Sequence, residues 1–135
     1  MPTPNYVVSY DGSVYSEKAV KWAIDLAGMT GAKIVLLAVC DTSLALLMDL
    51  EMDSCRWIRT KIAERARLCQ ECGFPVTYQM RKGHVVEEII KYAREEEADL
   101  IIAGTRGMGG FGKLLLGSVA HKLVTYSTVP VLIVK

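Results

Sequence analysis

The sequence predicts an α/β fold with a parallel sheet and helices on both of its faces. Short β-rich or apolar runs alternate with longer segments of helical periodicity along the chain, the order expected of a parallel sheet with crossover helices. One run, Lys33–Cys40 (KIVLLAVC), is apolar without alternation, as in a strand covered on both sides. No repeat, linker or low-complexity segment interrupts the 135 residues, so a single domain over 1–135 is expected.

The elements follow in order. Tyr6–Tyr10 (YVVSY) is a short strand, closed by the turn and helix-start signal Asp11-Gly12-Ser13. Ala19, Val20, Ala23, Ile24 and Ala27 then fall at helical spacing, with Glu17 near the helix start and Gly28 and Gly31 as its end signals. Asp41-Thr42-Ser43 ends the second strand, and a long helix follows that ends near Cys72. Its start is placed either at Leu44–Met48 or at the alternative cap Asp53-Ser54. Gly73-Phe74-Pro75 breaks it, and Val76–Met80 (VTYQM), less apolar, reads as an edge strand. A helix with Val86, Ile89, Ile90 and Ala93 inward leads to the fourth strand, Asp99–Gly104 (DLIIAG). Ser118 opens a helix to Tyr126, and Val129–Val134 is the last strand, with Pro130 unable to donate to a ladder.

Composition narrows the function. Half the residues are hydrophobic and the formal charge is +1, so bulk attraction to nucleic acid or to anionic membrane is not indicated. No apolar run reaches the ~18 residues of a membrane span, and no secretory signal is visible at the N-terminus. A cytoplasmic protein with its four cysteines reduced is the expectation.

The segment Gly104–Ser118 (GTRGMGGFGKLLLGS) holds six of the eleven glycines and can be threaded by three phosphate-binding patterns. A P-loop pattern runs to Lys113 but then meets Leu114, where a metal-holding hydroxyl is required. A dinucleotide fingerprint fits Gly107, Gly109 and Gly112. It follows the fourth strand rather than the first, and the acid expected ~20 positions on is absent. The third pattern, G-x-x-G-x9-G-S through Gly104, Gly107, Gly117 and Ser118, fits without exception. Gly104 lets the backbone turn at a strand end. Gly107 lets amides converge as an anion nest. Gly117 and Ser118 stand at a helix N-terminus, which favours phosphate, and Ser118 can cap that helix and offer its hydroxyl.

This spacing, with the hydrophobic helix and VPVLIV that follow, resembles the ATP-binding branch of the universal stress protein family. YVVSYDGSVYSEKAVKWAIDLA is similar to the family's first strand and helix, and GHVVEEIIKYAREEEADLIIAGTRG to its later helix and fourth strand. The resemblance implies an open sheet in the order 3-2-1-4-5, of the adenine nucleotide alpha hydrolase-like type. Asp11 and Gly104 would then flank the switch point between strands 1 and 4, where ligands sit in such sheets. It further implies that Asp11 contacts the ribose or adenine, that Ser9 adjoins it, and that Val39 offers backbone groups to the adenine edge. Gly104, Arg106, Gly107, Gly117, Ser118 and Val119 would hold the phosphates of ATP or AMP. Mg or Mn would arrive with the nucleotide, since no carboxylate cluster is visible to hold a metal alone.

The implied function is an ATP-dependent stress sensor or regulator with slow hydrolysis at most. ATP would order the Gly104–Ser118 loop for an unidentified regulatory partner, and the chain would pair as a homodimer through Val129–Val134. Two alternatives stand beside it: a dimeric interaction module that binds no nucleotide, and a weak ATPase or phosphotransfer enzyme. Other features read as structural. Cys69-x-x-Cys72 lies at a helix C-terminus, the wrong end for thiol activation. His84 and His121 lack a partner motif, and Arg94–Asp99 reads as a solvated helix end. Arg106 and Lys113 are either phosphate partners or solvated loop charges.

Overall fold

A computed structural model describes residues 3–42, 50–106 and 116–135, with the side chains of 50–54 outside the description. The elements are β1 (Asn5–Ser9), α1 (Val14–Thr30), β2 (Lys33–Asp41), α2 (Leu50–Glu71), β3 (Val76–Gly83), α3 (Val85–Glu95), β4 (Leu100–Gly104), α4 (Ser118–Tyr126) and β5 (Val131–Val134). They form one five-stranded sheet in the order β3-β2-β1-β4-β5, the order that the family resemblance implies. Every pairing is parallel, with Val7 opposite Val35 on β2 and Ile101 on β4.

The alternation of side chains along each strand divides the core into two layers. Tyr6, Val8 and Tyr10 face α1 and α2, where Ala19, Val20, Ala23, Ile58, Ile62 and Ala66 are buried against them. Val7, Leu37 and Ile101 face α3 and α4, against Ile89, Tyr92, Ala93 and Leu123. Both layers are apolar because the central strands have no solvent side; Val7, Val8, Leu36, Ile101 and Ile102 are fully buried. The small residues of α1 set how closely that helix approaches the sheet. Its Ala19, Val20 and Ala23 present little bulk, and the contact with β4 is correspondingly close.

The helix ends follow local chemistry. Ser13 is the N-cap of α1, its hydroxyl accepting from the Ser16 amide at 3.1 Å. Gly31, with φ 75°, provides the left-handed C-cap and donates to the Ala27 carbonyl. Helix α1 therefore runs past Gly28, expected to help end it. Pro130 lies just outside β5, and its carbonyl accepts from the Ile101 amide at 2.9 Å. The edge position expected of Val76–Met80 holds, and that strand extends to Gly83. Helix α2 is described from Leu50, so the alternative cap Asp53-Ser54 lies inside the helix and does not start it; the start at Leu44 or Met48 lies outside the described residues.

A polar network crosses the first layer. The buried Tyr10 hydroxyl donates to Glu17 on α1 at 2.5 Å, and Arg65 on α2 reaches the same carboxylate at 2.6 Å. Arg65 also donates to the Cys69 sulfur at 3.3 Å. Burial first, and then the bond to Glu17, push the Tyr10 phenol far above its ordinary pKa. The network pins α1, α2 and the end of β1 to one another beside Asp11.

Candidate functional site at the C-terminal edge of the sheet

The sheet order reverses between β1 and β4, so the loops after these strands diverge to opposite faces. After β1, Asp11 folds back as an Asx turn, its carboxylate accepting from the Ser13 amide at 2.9 Å. Gly12 has φ 81°, and a Cβ there would lie 2.7 Å from the Trp57 ring on α2. The turn thus requires glycine for its backbone and for the indole packed on it. Trp57 is itself half-exposed, with the Lys61 ammonium 4.9 Å from its ring centroid.

At the end of β4, Gly104 touches the first turn of α1. A Cβ on Gly104 would stand 2.7 Å from the Tyr15 Cβ and 2.8 Å from the Tyr15 backbone. The glycine is needed for that close approach, a more specific reason than the free turning expected from its place at a strand end. It also places the first turn of α1 directly against the end of β4. Thr105 then donates to the Val134 carbonyl on β5 at 2.8 Å.

The two described ends of the glycine-rich segment meet. The Gly117 amide donates to the Thr105 carbonyl at 2.7 Å, and a Cβ on Gly117 would come within 3.1 Å of Arg106 Cα. This corrects the expectation that the Gly117 amide faces an anion: it is occupied by the loop's own carbonyl. Gly117, not Ser118, is the N-cap of α4, and it supplies no side-chain cap. Ser118 stands at the first helical position, so the capping role expected of its hydroxyl is not observed. The amides of Ser118, Val119 and Ala120 are those that helical geometry leaves without an intrahelical acceptor. The His121 amide already bonds to the Gly117 carbonyl.

The remaining expected site residues divide as follows. Ser9 ends β1 and pairs with Leu37; Val39 lies near the end of β2, half-buried, opposite Arg81. Val39, like Val119, packs on the layer beneath α3 and α4. Arg106 is half-buried beside Gly117. Gly107 and Lys113 lie outside the described residues. His84 and His121 are exposed at the starts of their helices. Among the described residues, no three His, Cys, Asp or Glu side chains gather to hold a metal ion. A surface depression lined by Lys18, Lys21, Trp22 and Asp25 lies on α1, and none of the expected site residues lines it.

The cysteines depart from expectation. Cys40 and Cys55 are joined sulfur to sulfur, their Cα atoms 5.6 Å apart, a separation suited to a bridge. Cys55 near the start of α2 thus lies against Cys40 near the end of β2. Cys69 is buried and Cys72 exposed, both free thiols. Neither Trp57, Tyr15 nor this cysteine pair is signalled by any local pattern, because each acts through a contact distant in sequence.

Residues 4–135 match the profile described as the universal stress protein family. The chain belongs to that family. Universal stress protein MJ0531 of Methanocaldococcus jannaschii is 32% identical over 96% of this chain and 80% of its own length. Universal stress protein YxiE of Bacillus subtilis is 33% identical over 96% and 97%. Among solved universal stress proteins, UspA of Lactobacillus plantarum superposes with a TM-score of 0.88 at 22% identity, covering 100% of this chain and 99% of its own. At that identity the likeness bears on the fold alone. Some universal stress protein structures hold adenine nucleotides. One, described as a complex with cAMP, is 25% identical, with a TM-score of 0.67 and coverage of 99% and 98%. Another, from Archaeoglobus fulgidus, is described in complex with dAMP.

Proposed function

We propose that this universal stress protein binds an adenine nucleotide across the ends of β1 and β4 and acts as a nucleotide-dependent regulator. One observation carries the reading: Thr105–Arg106 and the uncapped N-terminus of α4 meet, just after the Gly104 that packs on the first turn of α1. An uncapped helix start presents amides and the positive end of its dipole to an anion. Ser118, Val119 and Ala120 supply those amides, and Arg106 stands beside them as a cation for phosphate. Gly117 acts differently from its neighbours, holding the loop closed and leaving no side chain over the helix start. Asp11, on the far side of the switch point, suits a ribose or purine contact, with Ser9 and the backbone of Val39 next to it. The relatives solved with cAMP and dAMP support an adenine ligand.

ATP is the form favoured, with AMP as its competitor and Mg or Mn accompanying the phosphates. Asp11 is assigned to the sugar end and is engaged by its own turn, so hydrolysis is slow at most. Binding favours the loop arrangement that fits the phosphates, and the population shift is the signal a partner reads. The chain also pairs as a homodimer through residues 129–134, since β5 is a short sheet edge with half-buried Val131, Leu132 and Ile133. Sedimentation should then give twice the 14.9 kDa chain mass.

Calorimetric titration with ATP, ADP and AMP tests the ligand. Saturable one-site binding that is abolished in the Gly107→Val/Gly117→Val double variant is expected. No heat with any of the three would leave the interaction-module reading standing instead.

A further inference from the structure

We propose that Cys40 and Cys55 form a reversible thiol–disulfide exchange site whose substrates are low-molecular-weight disulfides, with Cys55 as the point of entry. The pair lies at the edge of the sheet beside the candidate nucleotide site. Cys40 follows Val39 on β2, and Cys55 precedes by two residues the Trp57 that rests on Gly12. The inference does not depend on nucleotide binding.

Three observations argue for a switchable bond rather than a fixed staple. Neither Cys40 nor Cys55 belongs to the two packed clusters that cover the sheet among the described residues, and a domain of this size does not need a bridge. The other two cysteines are free, so the chain is not a disulfide framework. The two sulfurs are unequal in access: Cys40 is buried at 6% exposure, whereas Cys55 is partly exposed. Arg59 follows Cys55 by four residues on α2, the spacing at which a cation shares the helix face of the more accessible sulfur.

The chemistry balances with one equivalent of a disulfide RSSR. The Cys55 thiolate attacks one sulfur of RSSR, the S–S bond breaks, and one RS⁻ leaves. The Cys40 thiolate then attacks the Cys55 sulfur of the mixed disulfide and expels the second RS⁻. Two cysteine thiols are oxidised to one disulfide, RSSR is reduced to two RSH, and the two cysteine protons end on the departing thiolates. Excess RSH runs the sequence backwards.

The test is peptide mass mapping of the full chain after equilibration with oxidised and reduced glutathione. No lysine or arginine lies between Ile34 and Cys55, so tryptic cleavage leaves both cysteines in peptide 34–56. In oxidised glutathione that peptide should lose two hydrogens and resist alkylation; in excess reduced glutathione it should alkylate twice. Alkylation twice in every mixture would overturn the proposal, and so would a bond that survives every reduced mixture. The entry point is read from single variants. Cys40→Ser should carry glutathione on Cys55, and glutathione on Cys40 in Cys55→Ser would overturn the assignment of Cys55. The wild-type mapping stands whether or not either variant folds.

Discussion

The Gly117 amide donates to the Thr105 carbonyl at 2.7 Å, closing the described ends of the glycine-rich segment over the start of α4. This bond occupies the Gly117 amide and gives Gly117 a structural part in the candidate site. Its missing side chain matters as much as its amide, since a Cβ would press to 3.1 Å on both Arg106 Cα and the Thr105 oxygen. Gly117→Val adds two methyl groups to that contact. We expect nucleotide affinity to fall at least about tenfold, with the melting temperature lowered by a few degrees. Calorimetry beside a thermal melt checks both. Unchanged affinity would mean that the loop closure has no bearing on binding.

Gly104 is constrained from the other side. A Cβ there meets Tyr15 Cβ and main-chain atoms at 2.7–2.8 Å, and a helix backbone cannot yield as a flexible side-chain tip can. Gly104→Ala should therefore destabilise the fold by about 1–3 kcal/mol, the range for overpacking. Urea unfolding measures it. A loss below about 0.5 kcal/mol would show that α1 can shift away from β4 freely, against the tight packing described.

The Tyr10–Glu17–Arg65 network gives stability a dependence on alkaline pH. Burial and the bond to Glu17 raise the Tyr10 pKa, and burial, opposed by Arg65, raises that of the Cys69 thiol. A group raised in the fold contributes fully below its unfolded value, and the contribution is lost as pH climbs through the folded one. Stability should hold steady through neutrality on account of these groups. It should decline from about pH 8.5 for Cys69 and from about pH 10 for Tyr10. Tyr10→Phe removes a hydrogen bond to a charged carboxylate and should cost about 1.5–3 kcal/mol at pH 7. It should also flatten the decline above about pH 10. Chemical denaturation across that range reads both effects, and an equally steep decline in the variant would assign it elsewhere.

The fold was legible because its signals are local and periodic. The unbroken apolar run of Lys33–Cys40, the Asp11-Gly12-Ser13 start and the Pro130 break each fix an element without knowledge of its neighbours. Strand order was not legible from periodicity; it came through the family resemblance. At the site, spacing identified Gly104, Gly117 and Ser118 as special but not why. Gly104 is glycine because of Tyr15, Gly12 because of Trp57, and Gly117 because of Arg106 and Thr105. The first two are contacts between segments distant in sequence, which no local window contains; the third is a closure of the 104–118 segment on itself, visible only once its two ends are brought together. The Cys40–Cys55 pair is not legible in the sequence either, since fifteen residues separate the two and no motif marks either.

Ser118 separates a capping role from a ligand role. A serine that caps a helix contributes about 0.5–2 kcal/mol through its bond to a first-turn amide. Here Gly117 holds the cap position, and Ser118 is the first residue of α4, with no side-chain cap bond on the helix. Among the described residues, Ser118 makes no side-chain hydrogen bond that alanine would remove, and alanine is the better helix former. The variant should melt within a degree or two of the parent. If the hydroxyl donates to a phosphate, by contrast, its loss removes a hydrogen bond to a charged group, worth about 1.5–3 kcal/mol, or roughly ten- to a hundredfold in affinity. Paired melting and ATP titration of Ser118→Ala distinguish the roles. Lowered stability with unchanged affinity would return Ser118 to the helix cap and remove it from the site, leaving the phosphates to the Val119 and Ala120 amides and to Arg106.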